Sequence, residues 1–497
     1  MQADFSRTTF DPAKHFSSVL AQQGRVSLDA DFNEQTAILL RQLRTAIADI
    51  VGPAGAPAGV DGGFEVSAIS DRAPTEDLAI SEGRMYVGGV LVENDGPTTY
   101  WNQPDGFLDA DDEGDQLPQS GPFVLYLRVW ERLITAAQDP SIREVALGDP
   151  GPDTAARAKT IWQAAAHPVT ATDMAGAGTE FDQFVAALEP TGQLKADAKI
   201  PPGTSDQPCQ LPPGSRFRGP ENQLYRVEVH TGGQAWPTGA QQPQTGGGVL
   251  GGATFKWSRE NASVVFPIVS VSGAVIQVTT LGRDGKLDLE IGDIVEIVDD
   301  AIAGRVADDR LLTDPAMAAP RLRTVVDVDA ADRLVTLDQH DGDDDCPVGR
   351  GAVLRRWDHA STHIGTTPVE LADDGAVPIT EGGWIDLEDG VRVFFQAREQ
   401  APGTYRRGDF WYVPARTAIG DVLWPTGPDG TPMAKNPDGV EYHYAPLAFI
   451  SGTTVAAGLR HTFSPLPAPV ATAAEEPATG TRRSRGGESS RKTQASR

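Results

Sequence analysis

The stretch Phe5–Glu34 reads FSRTTFDPAKHFSSVLAQQGRVSLDADFNE and leads from an extended arm into a helix. Val26 and Leu28 alternate with polar residues, a pattern that predicts a short half-buried strand. Asp31 and Asn33 are good N-cap residues, because their side chains accept the unpaired amide hydrogens of a first helical turn. The stretch therefore predicts an arm, a strand and then the start of a helix.

One amphipathic helix follows this arm. Its apolar residues recur at spacings of four and three, which places them on one face of the helix. These residues are Leu39, Leu43, Ile47 and Ile50. Gly52 and Pro53 end the helix, since glycine readily adopts the left-handed C-terminal position and proline cannot continue the helix.

Length and composition favour a mainly β, multidomain protein. The 497 residues exceed one ordinary core, and 53 glycines with 38 prolines indicate a turn-rich fold. The formal charge of −27 argues against a nucleic-acid partner, because phosphate binding needs clustered cations. The start of the sequence lacks a signal-peptide pattern, and no run of about 18 apolar residues occurs. We therefore expect cytoplasmic synthesis without a signal peptide and no membrane insertion.

Composition and pattern divide the chain into five predicted parts. They are a docking segment with helix and linker (1–59), a β-rich, sandwich- or barrel-like body (60–260), an inserted small barrel (261–357), a second body part (358–466) and a disordered basic tail (467–497). The barrel prediction is SH3-like or OB-like and rests on short strands joined by tight turns. These strands are Val264–Ile268, Ala274–Val278, Asp293–Val298, Leu322–Val328 and Arg333–Leu337.

Further strands are predicted in both body parts. Leu78–Val92 is a hairpin that turns at Gly83 or at Gly88-Gly89, and Trp384–Phe395 is one that turns at Asp389-Gly390. Near-continuous apolar runs predict strands at Phe123–Trp130, Asp409–Val413 and Tyr442–Ser451. Residues 151–222 are interpreted as long loops with one short helix, Phe181–Leu188.

Candidate metal sites are weak. The acidic turns Asp109–Asp115 and Asp341–Asp345 offer carboxylates to calcium but lack the EF-hand spacing, so solvated loops are preferred. His359 and His363 are four apart, yet a structural histidine pair is preferred over a zinc site. Cys209 and Cys346 form no CxxC motif. We expect no metal and no cofactor.

The sequence provides no positive case for catalysis. It contains no nucleophile elbow, P-loop or dinucleotide-binding glycine motif, and carboxylates are too abundant to single out a glycosidase pair. The tryptophans lie mostly in strand patterns, so they are interpreted as core residues first and sugar-stacking platforms second. They include Trp130, Trp162, Trp257, Trp357, Trp384 and Trp411.

Eight segments, in order along the chain, carry a family resemblance. They are Phe10–His15, Gln22–Glu34, Val129–Arg132, Ile142–Gly148, Thr160–Gln163, Leu224–His230, Phe255–Asn261 and Tyr405–Arg416. Together they closely resemble an uncharacterised family encoded beside phage-tail-like contractile injection systems. The resemblance extends to about Leu466 and carries no catalytic residues.

The resemblance implies a non-enzymatic structural component of such a particle, baseplate- or fibre-associated and present as a homo-oligomer or in several copies. Its partners would be other particle subunits. Two alternatives remain open: a fibre or adhesin that binds a glycan on a target cell, and a polysaccharide-degrading enzyme carried on the particle. Aromatic residues exposed in a groove would favour the glycan-binding fibre or adhesin. A close carboxylate pair in a deep cleft would favour the polysaccharide-degrading enzyme.

The arm is the predicted docking element. It carries Phe5, Phe10, Phe16, Val19 and Leu20, which it cannot bury by itself. They pack either on later domains of the same chain or on a neighbouring subunit, where the helix completes the contact as a helix in a groove. The predicted docking residues are Phe5, Phe10, Phe16, Arg25, Asp29, Asp31, Leu39, Leu43, Ile47 and Ile50.

Overall fold

A computed structural model describes residues 2–59, 61–149, 151–200, 215–237, 252–282, 286–306, 319–338, 349, 351–359, 371–452 and 454–464. Strands dominate these residues and form several sheets, one of which closes into a barrel. The prediction of a mainly β fold is confirmed. Cys209, Cys346, His363, the acidic turn Asp341–Asp345 and the predicted tail 467–497 lie outside the described residues.

The helices within these residues are α1 (Asp29–Val51), α2 (Met174–Ala187) and α3 (Asp300–Arg305). Short 3-10 turns occupy Pro12–Lys14, Pro140–Ile142 and Val145–Leu147.

The strands up to the barrel are β1 (Ala54–Pro57), β2 (Val66–Ala68), β3 (Leu78–Ile80), β4 (Gly83–Val87), β5 (Val90–Asn94), β6 (Thr98–Thr99), β7 (Phe123–Ile134), β8 (Arg157–Pro168), β9 (Gly192–Ala198), β10 (Gln223–Val229), β11 (Gly233–Gln234) and β12 (Thr254–Ser258). Those of the barrel are β13 (Val265–Ser272), β14 (Val275–Val278), β15 (Ile294–Val298), β16 (Arg323–Asp329), β17 (Leu334–Leu337) and β18 (Val353–Trp357). The remaining strands are β19 (Val377–Pro378), β20 (Trp384–Asp386), β21 (Val391–Ala397), β22 (Thr404–Tyr405), β23 (Phe410–Arg416), β24 (Asp421–Val422), β25 (His443–Ser451), β26 (Thr454–Gly458) and β27 (Thr462–Phe463).

The first core is built around β7, the central strand of the sheet β26-β25-β7-β8. Leu125 and Leu127 of β7 face a core shared with β4 and β5, whereas Tyr126 faces α2 and lies 5.3 Å from the ring of Phe181. Successive residues of a strand point to opposite faces, so a strand covered on both faces is apolar throughout. The predicted buried strand Phe123–Trp130 is confirmed.

The second core lies between the sheet β19-β12-β10-β23-β24 and the sheet β20-β21-β9. Trp257 of β12 and Trp411 of β23 are completely buried in it. Its strands come from both sides of the barrel in sequence, since β10 pairs with β23 and β9 with β21. The hairpin at Asp389-Gly390 is confirmed, and both turn residues have positive φ.

The barrel closes in the strand order β13-β14-β17-β16-β15-β18. Each of the five predicted strands overlaps an observed one, and β18 supplies the sixth by pairing with β13 and β15. Its interior is a separate apolar cluster that includes Phe266, Val295 and Leu354. The chain enters the barrel after β12 and leaves it through β18. The division of the chain into five parts stays a prediction.

Three expectations are corrected. Residues 25–28 are exposed coil rather than a strand, and no strand among the described residues pairs with them. α1 begins at Asp29 with Leu28 as its N-cap, so Asp31 and Asn33 lie inside the helix. Residues 151–222 contain β8 and β9 as well as α2, which is longer than predicted. β8 pairs along its whole length with β7, so its mixed polar sequence is stabilised by a partner distant in sequence.

A candidate docking surface on the arm and helix α1

The start of the arm is fixed to the body of its own chain. The Asn261 side-chain amide donates a 2.7 Å hydrogen bond to the carbonyl of Ala3, which is buried. Phe5 is half-buried and packs against a small cluster formed by Leu224, Phe410 and Tyr412. Phe5 therefore contributes to the chain's own packing.

The arm is also tied to α1. The Ser6 hydroxyl and amide donate hydrogen bonds of 2.6 and 2.9 Å to the two carboxylate oxygens of Asp29. Partial burial opposes ionisation of Asp29, but the hydrogen bonds from Ser6 outweigh it and lower the pKa of Asp29. Farther along, the Val19 amide donates a 2.6 Å hydrogen bond to Gln35. These contacts hold the arm along the helix.

Phe10 lies against the inner face of α1. It is half-buried and, with Phe16 and the buried Ile38, lines a small cavity of about 30 Å³. A space of this size holds one or two water molecules and is too small for an organic ligand.

The rest of the arm presents apolar side chains to solvent. Phe16 is 58% exposed, Leu20 80% and Val26 83%. Arg25 is exposed beside them. Scattered single apolar residues are normal on a protein surface, but a contiguous group marks an interaction site.

One face of α1 rests on the body. The Arg44 guanidinium donates a 2.7 Å hydrogen bond to Glu131 of β7, whereas Ile38 is buried beside the arm residues Phe10 and Phe16. The β4–β5 turn has glycine at 88 and 89, as predicted. A Cβ on Gly89 would lie 2.2 Å from the carbonyl oxygen of Arg44, so this glycine permits the close approach of the helix.

The opposite face of α1 is apolar and exposed. Leu39, Leu43 and Ile50 point to solvent, and Phe32 continues the same row. Of the predicted docking residues, Phe16, Arg25, Asp29, Leu39, Leu43 and Ile50 are exposed, whereas Phe5, Phe10, Asp31 and Ile47 are half-buried. Sequence reasoning missed Phe32, although its spacing of seven from Leu39 was a usable signal. We define the docking surface as Phe16, Leu20, Val26, Phe32, Leu39, Leu43 and Ile50.

A buried ionic network lies where the barrel meets the body. Lys256 of β12 contacts Glu296 of β15 and Glu228 of β10, and the side chains of all three are almost completely buried. Burial opposes ionisation of Glu228, but Arg226 and Lys256 outweigh it and lower its pKa to about 2. Each carboxylate in the network therefore lies beside a cation, and buried charges need such a partner to be stable.

The half-buried carboxyl of Glu388, in contrast, has a raised pKa. Burial raises the pKa of Glu388 to about 7, despite the attraction of Arg259. Its two carboxylate oxygens accept hydrogen bonds from the Tyr225 hydroxyl at 3.1 Å and from Arg259 at 2.7 Å. Both oxygens are thus engaged in links between neighbouring strands and turns.

Two of the residues that were weighed as metal ligands have other partners. His359 is buried, and its Nε2 lies 3.0 Å from the carbonyl of Gly375. Asp115 accepts a hydrogen bond from the Asp109 amide at 2.8 Å and pairs with Arg305 at 2.9 Å. No group of three or more His, Cys, Asp or Glu side chains that could hold a metal ion occurs within the described ranges.

The tryptophans are mainly core residues. Five of the six discussed above are buried, namely Trp130, Trp162, Trp257, Trp357 and Trp411. Trp384 is exposed; its ring lies 5.5 Å from that of Phe394, and the Arg392 guanidinium is 4.3 Å from it.

Comparisons with known proteins identify a family. Among the residues that the structure describes, no helix is both long and apolar enough to cross a bilayer. No curated protein and no solved structure matches the chain. The model of a family of unknown function, DUF6519, matches residues 1–190 and 185–475. The chain therefore belongs to the DUF6519 family.

Proposed function

We infer that this chain is a structural, non-enzymatic component of a phage-tail-like contractile injection system. It is baseplate- or fibre-associated and docks through its N-terminal arm and α1. The observation that carries the proposal is the number of large apolar side chains left exposed on the arm, at Phe16, Leu20 and Val26, and on the outer face of α1. A surface of this kind, at one end of the chain, suits attachment to a neighbouring subunit.

The arm is preorganised for docking. It is held at Ala3 by Asn261, and at Ser6 and Val19 by side chains of α1. An element that is already ordered loses less conformational freedom when it binds, so more of the contact energy appears as affinity. Phe16 lies between these anchors, and Leu20 and Val26 lie between Val19 and the start of α1, so the anchoring supports a docking role for all three.

The class of partner follows from charge and from the family resemblance. A formal charge of −27 disfavours nucleic acid and anionic lipid surfaces and suits an apolar protein contact. The resemblance to proteins encoded beside contractile injection systems makes other subunits of such a particle the proposed partners. The chain would then reside in the assembled particle, either inside the cell or after release.

Glycan binding is the second candidate. Trp384 is exposed, with Phe394 and Arg392 beside it, and an exposed indole ring offers a stacking face to a sugar. A glycan array would test it: binding that is lost in Trp384→Ala, in a variant that keeps the melting temperature of wild type, would favour a fibre or adhesin.

Particle purification tests the main proposal. Contractile particles are isolated from the source organism on a density gradient and analysed by quantitative mass spectrometry. The proposal predicts that this chain co-sediments with the sheath and tube subunits at a constant ratio. Absence of the chain from intact particles, with its full amount in the soluble fraction, would contradict the proposal.

A further inference from the structure

The exposed face of α1 has the spacing of a coiled-coil seam. Residues that follow one another at alternating intervals of four and three lie in one row, and all of them are exposed. They are Phe32, Thr36, Leu39, Leu43, Ala46 and Ile50. A strict repeat of this kind places alternate a and d positions against a partner helix. The seam runs about 27 Å along the helix.

Most of this seam is apolar surface that the chain does not cover. Phe32 is 74% exposed, Leu39 54%, Leu43 57% and Ile50 69%. With the partly exposed Leu40 beside them, these side chains offer apolar area on the order of 500 Å², which is near the upper end for a monomer. A stable dimer needs about 800 Å² from each partner. The polar residues that flank the seam would supply the remainder.

The flanks of the seam are nearly uncharged. The positions beside a and d are Asn33, Gln35, Leu40, Gln42, Ile47 and Asp49, of which only Asp49 carries a charge. Charges at these positions normally decide which helices pair, and like charges prevent a helix from pairing with itself. In a chain of net charge −27, a neutral seam is the kind of surface on which two copies meet without strong repulsion.

The helix is also held in place for such pairing. Its opposite face is held by the arm at Ile38 and by the ion pair of Arg44 with Glu131 of β7, so the seam points away from the body. Most of the stability of a helix in a protein comes from its packing on the rest of the chain, and a helix that is already docked needs no further ordering to pair.

We propose that α1 pairs along this seam with α1 of another copy of the same chain. The pairing deepens the proposed function, on which it rests for its role in the particle. It divides the docking surface in two: α1 joins copies of this chain, and Phe16, Leu20 and Val26 of the arm contact the neighbouring subunit. Several copies joined in this way would present several arms to the particle at once, which raises the avidity of attachment.

The test is the mass of the purified full chain, measured by light scattering and sedimentation equilibrium at micromolar concentrations. The wild-type chain is expected as a dimer or a higher multimer. Leu39→Lys with Leu43→Lys should weaken self-association by about 100-fold or more and give a monomer, because two central apolar contacts become charged. Circular dichroism and the melting temperature verify that the variant keeps its fold.

A matched control comes from the 3-10 turn Val145–Leu147. Val145→Lys with Leu147→Lys introduces the same charge at two exposed apolar residues away from α1 and should leave the mass unchanged. A monomeric wild-type chain, or a folded seam variant that keeps the wild-type mass, would overturn the pairing. The result for the proposed function is independent of this one. A monomeric chain that is found in particles contradicts only the pairing, whereas a multimeric chain that is absent from particles contradicts only the role in the particle.

Discussion

Lys256 in β12 donates hydrogen bonds of 2.7 Å to both carboxylate oxygens of Glu296 in β15, and so links the body to the barrel through a buried ion pair. The Trp357 indole N–H donates a further hydrogen bond of 2.9 Å to Glu296. Burial opposes ionisation of Glu296, but Lys256 and Arg355 outweigh it and lower its pKa. Glu296 therefore stays ionised in this buried site because Lys256 and Arg355 lie beside it.

Removal of Lys256 alone should strongly lower the free energy of unfolding. Lys256→Met leaves Glu296 buried without its main cation, and breaking such a pair typically lowers the free energy of unfolding by about 3–5 kcal/mol. Lys256→Met with Glu296→Gln should recover part of this loss, since glutamine is neutral and still accepts from Trp357. Urea unfolding at pH 7 measures both. A single variant within about 0.5 kcal/mol of wild type would show that the pair contributes little to stability.

Ionisation of the buried Asp409 should lower the free energy of unfolding as the pH rises. Burial raises the pKa of Asp409 from 3.8 to about 8, despite Arg406, and within the described residues its Oδ2 accepts no hydrogen bond. Between these two pKa values the folded state holds a proton that the unfolded state releases. The contribution of Asp409 to the free energy of unfolding is therefore complete below about pH 4. It falls by up to about 1.4 kcal/mol per pH unit as the pH rises towards 8.

Asp409→Asn mimics the protonated carboxyl at every pH. The stability difference between Asp409→Asn and wild type should therefore grow in favour of the variant from pH 5 to pH 8, as measured by urea unfolding at several pH values. Parallel pH profiles of the two proteins would contradict the assignment.

Gly89 should be needed for the seating of α1. Gly89→Ala places a Cβ 2.2 Å from the backbone carbonyl of Arg44 at a residue with φ of 77°. Gly121→Ala is the matched control, because its φ is 79° and nothing lies within 4 Å of the added Cβ. Backbone strain at a positive φ costs about 1–3 kcal/mol in either variant. Gly89→Ala should therefore lower the melting temperature further than Gly121→Ala, and equal losses would mean that α1 is not held against this turn.

The barrel should fold by itself. Residues 261–357 contain all six strands and an apolar cluster that the barrel does not share with the two body cores. The isolated fragment should give dispersed amide resonances and unfold cooperatively. Residues 261–350 are the control, since they lack β18 and cannot close the barrel. A disordered spectrum from the longer fragment would contradict the predicted boundary.

The sequence predicted elements whose periodicity is set by local burial. The five barrel strands alternate because one face of each lines a small core, and Phe123–Trp130 is apolar throughout because both of its faces are covered. β8 was missed because its stability comes from pairing with β7, which no local pattern reveals. In β9 the buried Leu194, Ala196 and Ala198 alternate with polar residues, which was a usable signal for a strand. Val26 and Leu28 show the converse: they alternate with polar residues but lie in exposed coil, with no partner strand in the part of the chain that the structure describes.

The candidate site was predicted only in part, for a related reason. The spacing of Leu39, Leu43 and Ile50 identified one face of a helix, but spacing does not distinguish a face that is buried in the chain from one left exposed. Phe5 and Phe10 looked equivalent to Phe16 in the arm, yet they pack on the chain's own body and helix. The arm residues that stay exposed are set by contacts of the arm with Asn261 and Ile38, and these contacts form only when the chain folds.

The most direct measurement of the central claim, that this chain docks on a contractile particle through its arm, is the amount of a variant chain in purified particles. Leu20→Ala with Val26→Ala removes two side chains that are 80% and 83% exposed, so the melting temperature of this arm variant should match that of wild type. Val145→Ala with Leu147→Ala is the control. Truncation of docking anchors typically costs about 2 kcal/mol or more each, so the arm variant should be strongly depleted from particles while the control is retained. Normal incorporation of a folded arm variant would contradict the account.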